Sequence, residues 1–334
     1  MIATIQQVSK YLQRYLPFII LADLLVAIAV GSRYPDLVHS LKPLIPYGMM
    51  LMLIPIMMGI AIRELKQIAM DKKVILIAVL INFMLSPVVA YLWAELFFTA
   101  LDPKFIAGWI LKLTVPCSGM MVAWTGLSGG KTETALIVQV LSFLVAIAAI
   151  PFWLTLLAGK FVAIDFWFMA QQIFWIIILP MIVGIGAREW LIIPRYGKQE
   201  FNQDIKPFLP PLASIAMFFV LFVAVSGESE LILQNLNLFW ILAASVFIVY
   251  PLLFLVSIFV AKKSGLSYEY AIAIGFGTTA KNHGITLALA TTTFGGLSVL
   301  PPSVVPMFQV LLMLGIWKSS PWVKRYFEKH GSPE

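Results

Sequence analysis

The stretch Gly275–Ala290, GFGTTAKNHGITLALA, constrains this chain more than any other. It lies inside an apolar run from about Tyr270 to Phe294, long enough to cross a bilayer. The middle of such a run should be its driest part, yet here it reads Thr278, Thr279, Lys281, Asn282, His283. Gly275, Gly277 and Gly284 flank the cluster and weaken the helix on either side. Polar residues and glycines at mid-depth are tolerated only where the backbone lines a cavity or packs in protein. An ionisable residue there costs roughly 2.5–3.5 kcal/mol on insertion scales, which makes Lys281 a functional-site candidate.

The rest of the chain supplies the setting. Of its 334 residues 61% are hydrophobic and only 12% charged, with a mean hydropathy of +0.94. No soluble core absorbs that much apolar sequence, whereas a bundle of spanning helices does. An all-α membrane protein is expected, with spans near 16–31, 43–62, 74–98, 105–127, 134–158, 166–187, 208–226, 237–260, 268–294 and 300–317. The single cysteine excludes an internal disulfide, and His39, His283 and His330 are too scattered for a His/Cys metal cluster. No cofactor motif is present. No convergent acid/base motif marks an intramembrane enzyme, and no signalling domain marks a sensor.

A net charge of +7 could suggest nucleic acid, but its distribution excludes that reading. Of the Lys and Arg residues outside the spans, 17 fall on the side of the N-terminus and 4 on the other (Arg33, Lys42, Lys104 and Lys160). Basic residues concentrate on the cytoplasmic side, so both termini should be cytoplasmic, in a multi-pass protein of the plasma membrane. The expected partners are the lipid bilayer and a small-molecule substrate.

A second span is also interrupted. Within 105–127 the segment Val115-Pro116-Cys117-Ser118-Gly119 removes a backbone donor at Pro116 and loosens the next turn at Gly119. Lys112 lies one turn earlier. Pro46 and Pro210 are 164 residues apart, as are Pro87 and Pro251, and the same offset carries Cys117 onto Lys281. Five spans per half is an odd number, so the second half must run upside down relative to the first. Ten transmembrane helices in two inverted five-helix repeats are therefore expected, with broken helices 4 and 9 crossing at mid-membrane. The organisation follows: an amphipathic cytoplasmic lead-in at 1–15, repeats at 16–158 and 159–317, and a cytoplasmic tail at 318–334. The charged stretch Arg188–Lys206 between the halves reads as the longest loop.

Two broken helices meeting at one point present unsatisfied N–H and C=O groups to it. Cys117, Ser118, Thr278, Asn282 and His283 are the candidate substrate contacts, and Lys281 the candidate coupling group. Asp23, a lone carboxylate in the first span, is a candidate counter-charge, or else a group snorkelling to the interface. Taken singly, Cys117 is equally a small inert helix residue and His283 a bonded structural one. Lys281 is harder to dismiss, because a buried ammonium must be paired or neutralised.

At these residues the sequence resembles the bile acid:sodium symporter superfamily, and within it the arsenical-resistance (arsenite) permease branch. Cys117-Ser118-Gly119-Met120 followed by Trp124 resembles that branch's C-x-x-M-x-x-x-W pattern. The likeness continues through Leu127, Gly129, Gly130 and Val138-Gln139-Val140, with Asp71-Lys72-Lys73, Asn82 and Pro87 in order. In the second half it runs through Gly275-Phe276, Asn282, Leu287-Ala288, Ala290 and Thr293-Phe294-Gly295. The branch carries N-N-F-E where this chain reads Lys281-Asn282-His283-Gly284, so its acidic residue is missing at Gly284. The sodium ligands of the bile-acid branch fall here on Gly277, Lys281, Met121 and Val122. The resemblance thus implies a secondary transporter that is not sodium-dependent, exporting arsenite or a related metalloid acid. Cys117 would be the soft contact, and Lys281 would stand in for a coupling cation, fixed or titrating. A small organic anion held by Lys281 is the alternative cargo.

Overall fold

The computed structural model describes residues 2–59 and 72–328. Side chains at 2–14, and so the amphipathic character expected there, lie outside that description, as do most of the loop at 63–73 and His330. The regular structure of the described residues is helical, with no strand among them.

Helix α1 (Ile2–Arg33) runs without interruption, and a short helical turn, Pro35–Leu41, leads into α2 (Ile45–Met58). Helix α3 (Lys72–Phe97) widens to a π-helical turn at Ile81–Leu85, ahead of Pro87. Helix α4 (Pro103–Thr114) starts where Asp102 accepts from the backbone N–H groups of Lys104 and Phe105, at 2.7 and 3.2 Å, and Pro103 fills the first position. It stops at Val115, before Pro116, and α5 (Met120–Leu127) resumes the path. Helices α6 (Thr132–Leu157), α7 (166–186), α8 (Leu209–Ser226) and α9 (Asn237–Lys263) follow. The ninth expected span divides into α10 (Tyr268–Thr279) and α11 (His283–Leu289), and α12 (Leu300–Glu328) ends the described chain.

Among the described residues six helical stretches are long and apolar enough to cross a membrane: Pro35–Met58, Lys72–Phe97, Thr132–Lys160, Phe166–Ser226, Asn237–Lys263 and Gly296–Glu328. The stretch Phe166–Ser226 is a single run of 61 residues because the charged segment expected as a loop at 188–206 is helical. It turns at Gly197, whose φ of 84° suits a residue without a side chain. Arg188 is buried there, paired with Glu189 and placed over the Phe201 ring at 5.1 Å, so its charge is met within the helical segment. The described part of the tail, 318–328, is helical as well: Trp317 just before it donates to the Leu127 carbonyl at 2.9 Å, and Phe327 is buried against Tyr268.

Large apolar side chains cover the outside, among them Leu25, Leu96, Trp240 and Leu255, as a lipid-facing surface requires. Inside, α2 packs along α8 and α7, and α1 along α8 and α12. A second neighbourhood joins α3 to α4, α4 to α6, and α10 to α9 and α6. Close approaches rest on small residues: a Cβ at Gly108 of α4 would overlap the Ser298 carbonyl oxygen. The two broken segments lie in this second neighbourhood, where every residue from Ala271 to Ala290 is buried.

Candidate functional site

The two breaks pair with each other. Cys117 and Lys281 form an isolated antiparallel bridge: Ser118 N–H donates to the Ala280 carbonyl at 2.7 Å, and Asn282 N–H to the Pro116 carbonyl at 2.9 Å. Each break would otherwise leave backbone groups bare in the driest part of the protein, and here each satisfies the other.

Helix α3 handles what the pairing leaves over. In its π-helical turn Ser86 N–H bonds to the Ile81 carbonyl, five residues back. The next acceptor in that register, the Asn82 carbonyl, faces Pro87, which has no N–H to give. Lys281 takes the vacancy. Its Nζ donates to the Asn82 carbonyl at 3.3 Å, to Asn82 Oδ1 at 2.5 Å and to the Val115 carbonyl, freed by the first break, at 3.3 Å. One residue of α3 therefore meets this fully buried lysine with both backbone and side chain. Ser86 Oγ donates to the Leu113 carbonyl at 2.7 Å, capping the end of α4. Asn82 and Ser86 are outside the expected site. The signal for Asn82 was its place five residues before a mid-span proline.

Cys117 is fully buried, with Sγ 3.1 Å from Ser142 Oγ on α6. The Ser142 hydroxyl spends its proton on the Gln139 carbonyl at 2.7 Å, so the thiol proton of Cys117 is the one that points at Ser142. Ser118 Oγ beside it is buried with no partner. Asn282 caps α11, its Oδ1 accepting from Ile285 N–H at 3.0 Å. His283 Nδ1 stands 2.8 Å from Lys112 Nζ, and Lys112 is fully buried. Thr278 is spent locally: its hydroxyl donates to the Ile274 carbonyl at 3.0 Å and meets Ser257 of α9 at 3.3 Å. Asp23 makes no contact with Lys281, whose hydrogen bonds go to neutral oxygens, and Oδ2 of Asp23 is buried without a partner. The structure thus gathers Cys117, Ser118, Lys281, Asn282 and His283 at the paired breaks, adds Lys112, Asn82 and Ser142, and leaves Thr278 and Asp23 out of its hydrogen bonds.

Residues 46–235, more than half of the chain, match the Sodium Bile acid symporter family. The chain belongs to that family. It is a multi-pass membrane transporter. Two arsenical-resistance proteins, both named Acr3, are similar along nearly their whole length. The one from Corynebacterium glutamicum is 22% identical over 94% of this chain and 90% of its own length. The one from Alkaliphilus metalliredigens is 23% identical over 95% and 94%. An uncharacterized transporter of Synechocystis, slr0944, is 24% identical over 85% of this chain and 81% of its own. The family match ends before the second break, so the relatives carry the likeness across Lys281.

Gly277 and Gly284, where the sequence resemblance implied departures, are filled by neighbouring side chains rather than empty. A Cβ at Gly277 would stand 3.0 Å from Cε of the buried Met121, so these two positions pack together through a thioether. At Gly284 Met52 of α2 closes in, its Cε 2.6 Å from where a Cβ would stand.

Proposed function

We propose that this member of the Sodium Bile acid symporter family exports arsenite or a related metalloid acid from the cell, without using sodium. The observation that carries the reading is the position of Cys117: the one cysteine of the chain sits on the backbone pairing that joins the two broken segments. Trivalent arsenic is thiophilic, and a cysteine at that pivot gives it a soft ligand. Arsenous acid can exchange one hydroxyl for the sulfur: an As–S bond forms, an As–O bond breaks, and the thiol proton leaves with the hydroxyl as water. Cys117 is sealed from solvent in this conformation, so the cargo must reach it when one helix group rocks against the other.

The same reading treats the chain as ten spans in two inverted repeats, at 16–158 and 159–317. Its support is that the residues related by the 164-residue offset, Cys117 and Lys281, are the ones that pair. Sodium independence is supported by the side chains at Gly277, Lys281, Met121 and Val122, which offer none of the oxygen ligands a hard cation collects.

A second reading, a small organic anion as cargo, is favoured by a different observation: Lys112 and Lys281 are both fully buried and neither makes an ion pair among the described residues. One experiment separates the two. Inverted membrane vesicles bearing the protein should accumulate arsenite, and exchanging sodium for choline should leave the rate unchanged. Cys117→Ser, nearly isosteric, should reduce that uptake to the level of vesicles without the protein. Undiminished uptake by the serine variant would remove the soft-ligand mechanism, and no uptake by the wild type would put the organic anion ahead.

A further inference from the structure

The two buried lysines have partners of opposite chemical character. All three acceptors around Lys281 Nζ are amide or carbonyl oxygens, which accept hydrogen bonds and never give a proton back. Its three N–H groups have three acceptors, which is the arrangement of a fixed cation. Lys112 has one partner, Nδ1 of His283 at 2.8 Å, and an imidazole can both accept and donate. The other ring nitrogen, Nε2, is buried with nothing bonded to it, although His283 is only 8% exposed.

A hydrogen bond between two nitrogens needs one proton between them. With both groups protonated nothing accepts, and two positive charges would face each other beside Lys281. Two states remain. In one, Nδ1–H donates to a neutral Lys112 amine and Nε2 is a bare acceptor. In the other, Lys112 is an ammonium donating to Nδ1 and Nε2 carries the hydrogen. The charged or titratable groups facing the pair are Lys281 and, beside it, Cys117. Of the elements packed around it, the first half of α12 has no titratable residue and the tyrosine of α2, Tyr47, is exposed. On α3, Tyr91 and Glu95 are engaged with Lys160, and on α6 Glu133 lies in the first turn.

We propose that Lys112 and His283 form the proton-carrying site of the transport cycle, with Nε2 of His283 as the atom for which a proton and a hydroxyl of the cargo compete. This rests on the reading of the chain as a transporter of a hydroxylated acid, and it assigns proton exchange to Lys112 and a fixed charge to Lys281. A proton arriving at Nε2 releases the one on Nδ1 to Lys112 Nζ, so the pair gains one proton and keeps its hydrogen bond. In the bare state Nε2 accepts a hydrogen bond from an O–H of the cargo, and in the protonated state it cannot. Proton and undissociated acid therefore exclude each other, and the carrier exchanges one for the other.

The test has one measurement without cargo and one with it. The protein carrying His39→Gln and His330→Gln, labelled with nitrogen-15 histidine and held in detergent, leaves His283 as the only ring observed. Stepping from about pH 9 to about pH 5 should convert Nε2 from bare to protonated while Nδ1 changes from protonated to bare. A ring protonated on both nitrogens, or a tautomer that never changes, overturns the pair. In inverted vesicles, exchange of one proton for a neutral acid allows arsenite accumulation of about tenfold per unit of pH gradient. Lys112→Met should hold that ratio near one while arsenite still equilibrates down its own gradient. Accumulation by this variant equal to the wild type overturns the assignment. If the wild type moves no arsenite but the tautomer switches, the cargo reading fails and the proton site stands.

Discussion

Lys281 is held in the interior by Asn82, which answers it twice, through the amide oxygen and through a carbonyl that Pro87 leaves without a donor. Removing one acceptor of a buried ammonium costs about 1–3 kcal/mol. Asn82→Ala should therefore lower thermal stability in detergent by about that amount, and Lys281→Met should also destabilise, by stranding the same carbonyls. Because each side chain exists for the other, the double variant should be less damaged than the sum, with a coupling of about 0.5–3 kcal/mol. Strict additivity in that cycle would mean that the contact does not hold the break together. Lys281 and Cys117 were legible in the sequence because a lysine and a Pro-Cys-Ser-Gly run are conspicuous in apolar spans. Asn82, Ser86 and Ser142 were not, since an isolated polar residue in a helix usually bonds its own preceding turn. Ser142 does so with Gln139, while also accepting from Cys117. Lys112 was visible one turn before the break, but its partner is 171 residues away, a distance that no local pattern spans.

At the scale of elements, the apolar pattern carried much of the layout: runs expected at 208–226 and 237–260 are the helices Leu209–Ser226 and Asn237–Lys263. The segment 188–206 was misread because its charges suggested solvent, whereas a buried arginine can be met by a neighbouring carboxylate and an aromatic face. Contacts between elements rest on glycines whose role no pattern announces. Gly108 lets α4 touch the turn at Ser298, and the obstruction to a Cβ there is backbone, which cannot rotate away. Gly108→Ala should therefore destabilise by about 1–3 kcal/mol and lower transport with it. Gly315→Ala is the matched control, since a Cβ at Gly315 meets nothing within 4 Å. Equal melting temperatures for the two variants would show that α4 is free to shift away from Ser298.

For the molecule as a whole, two observations bear on topology, one on which side is cytoplasmic and one on which segments share a side. The first is the 17-to-4 division of basic residues, which assigns sides from composition alone. The second is which ends touch. Lys131 donates to the Tyr270 hydroxyl at 3.0 Å, its backbone N–H meets the Glu269 carbonyl at 3.2 Å, and Lys262 bonds the Tyr326 carbonyl. All of these belong to the basic side. Lys42 reaches the Gly227 carbonyl at 3.5 Å, Lys160 pairs with Glu95 at 3.6 Å, and Lys104 packs at Gly296. All of these belong to the other. Each contact joins segments that the charge count puts on one side. From the charge division alone, the expected arrangement is both termini in the cytoplasm, Lys131 inside and Lys160 outside. Cys117 is the lone thiol and is buried, so added cysteines report with little background. Lys160→Cys should react in intact cells with a maleimide that cannot cross the membrane, and Lys131→Cys should react only after the membrane is opened. The reverse pattern would invert the molecule, and labelling of both from outside would break the odd number of spans per half on which the inverted repeat depends.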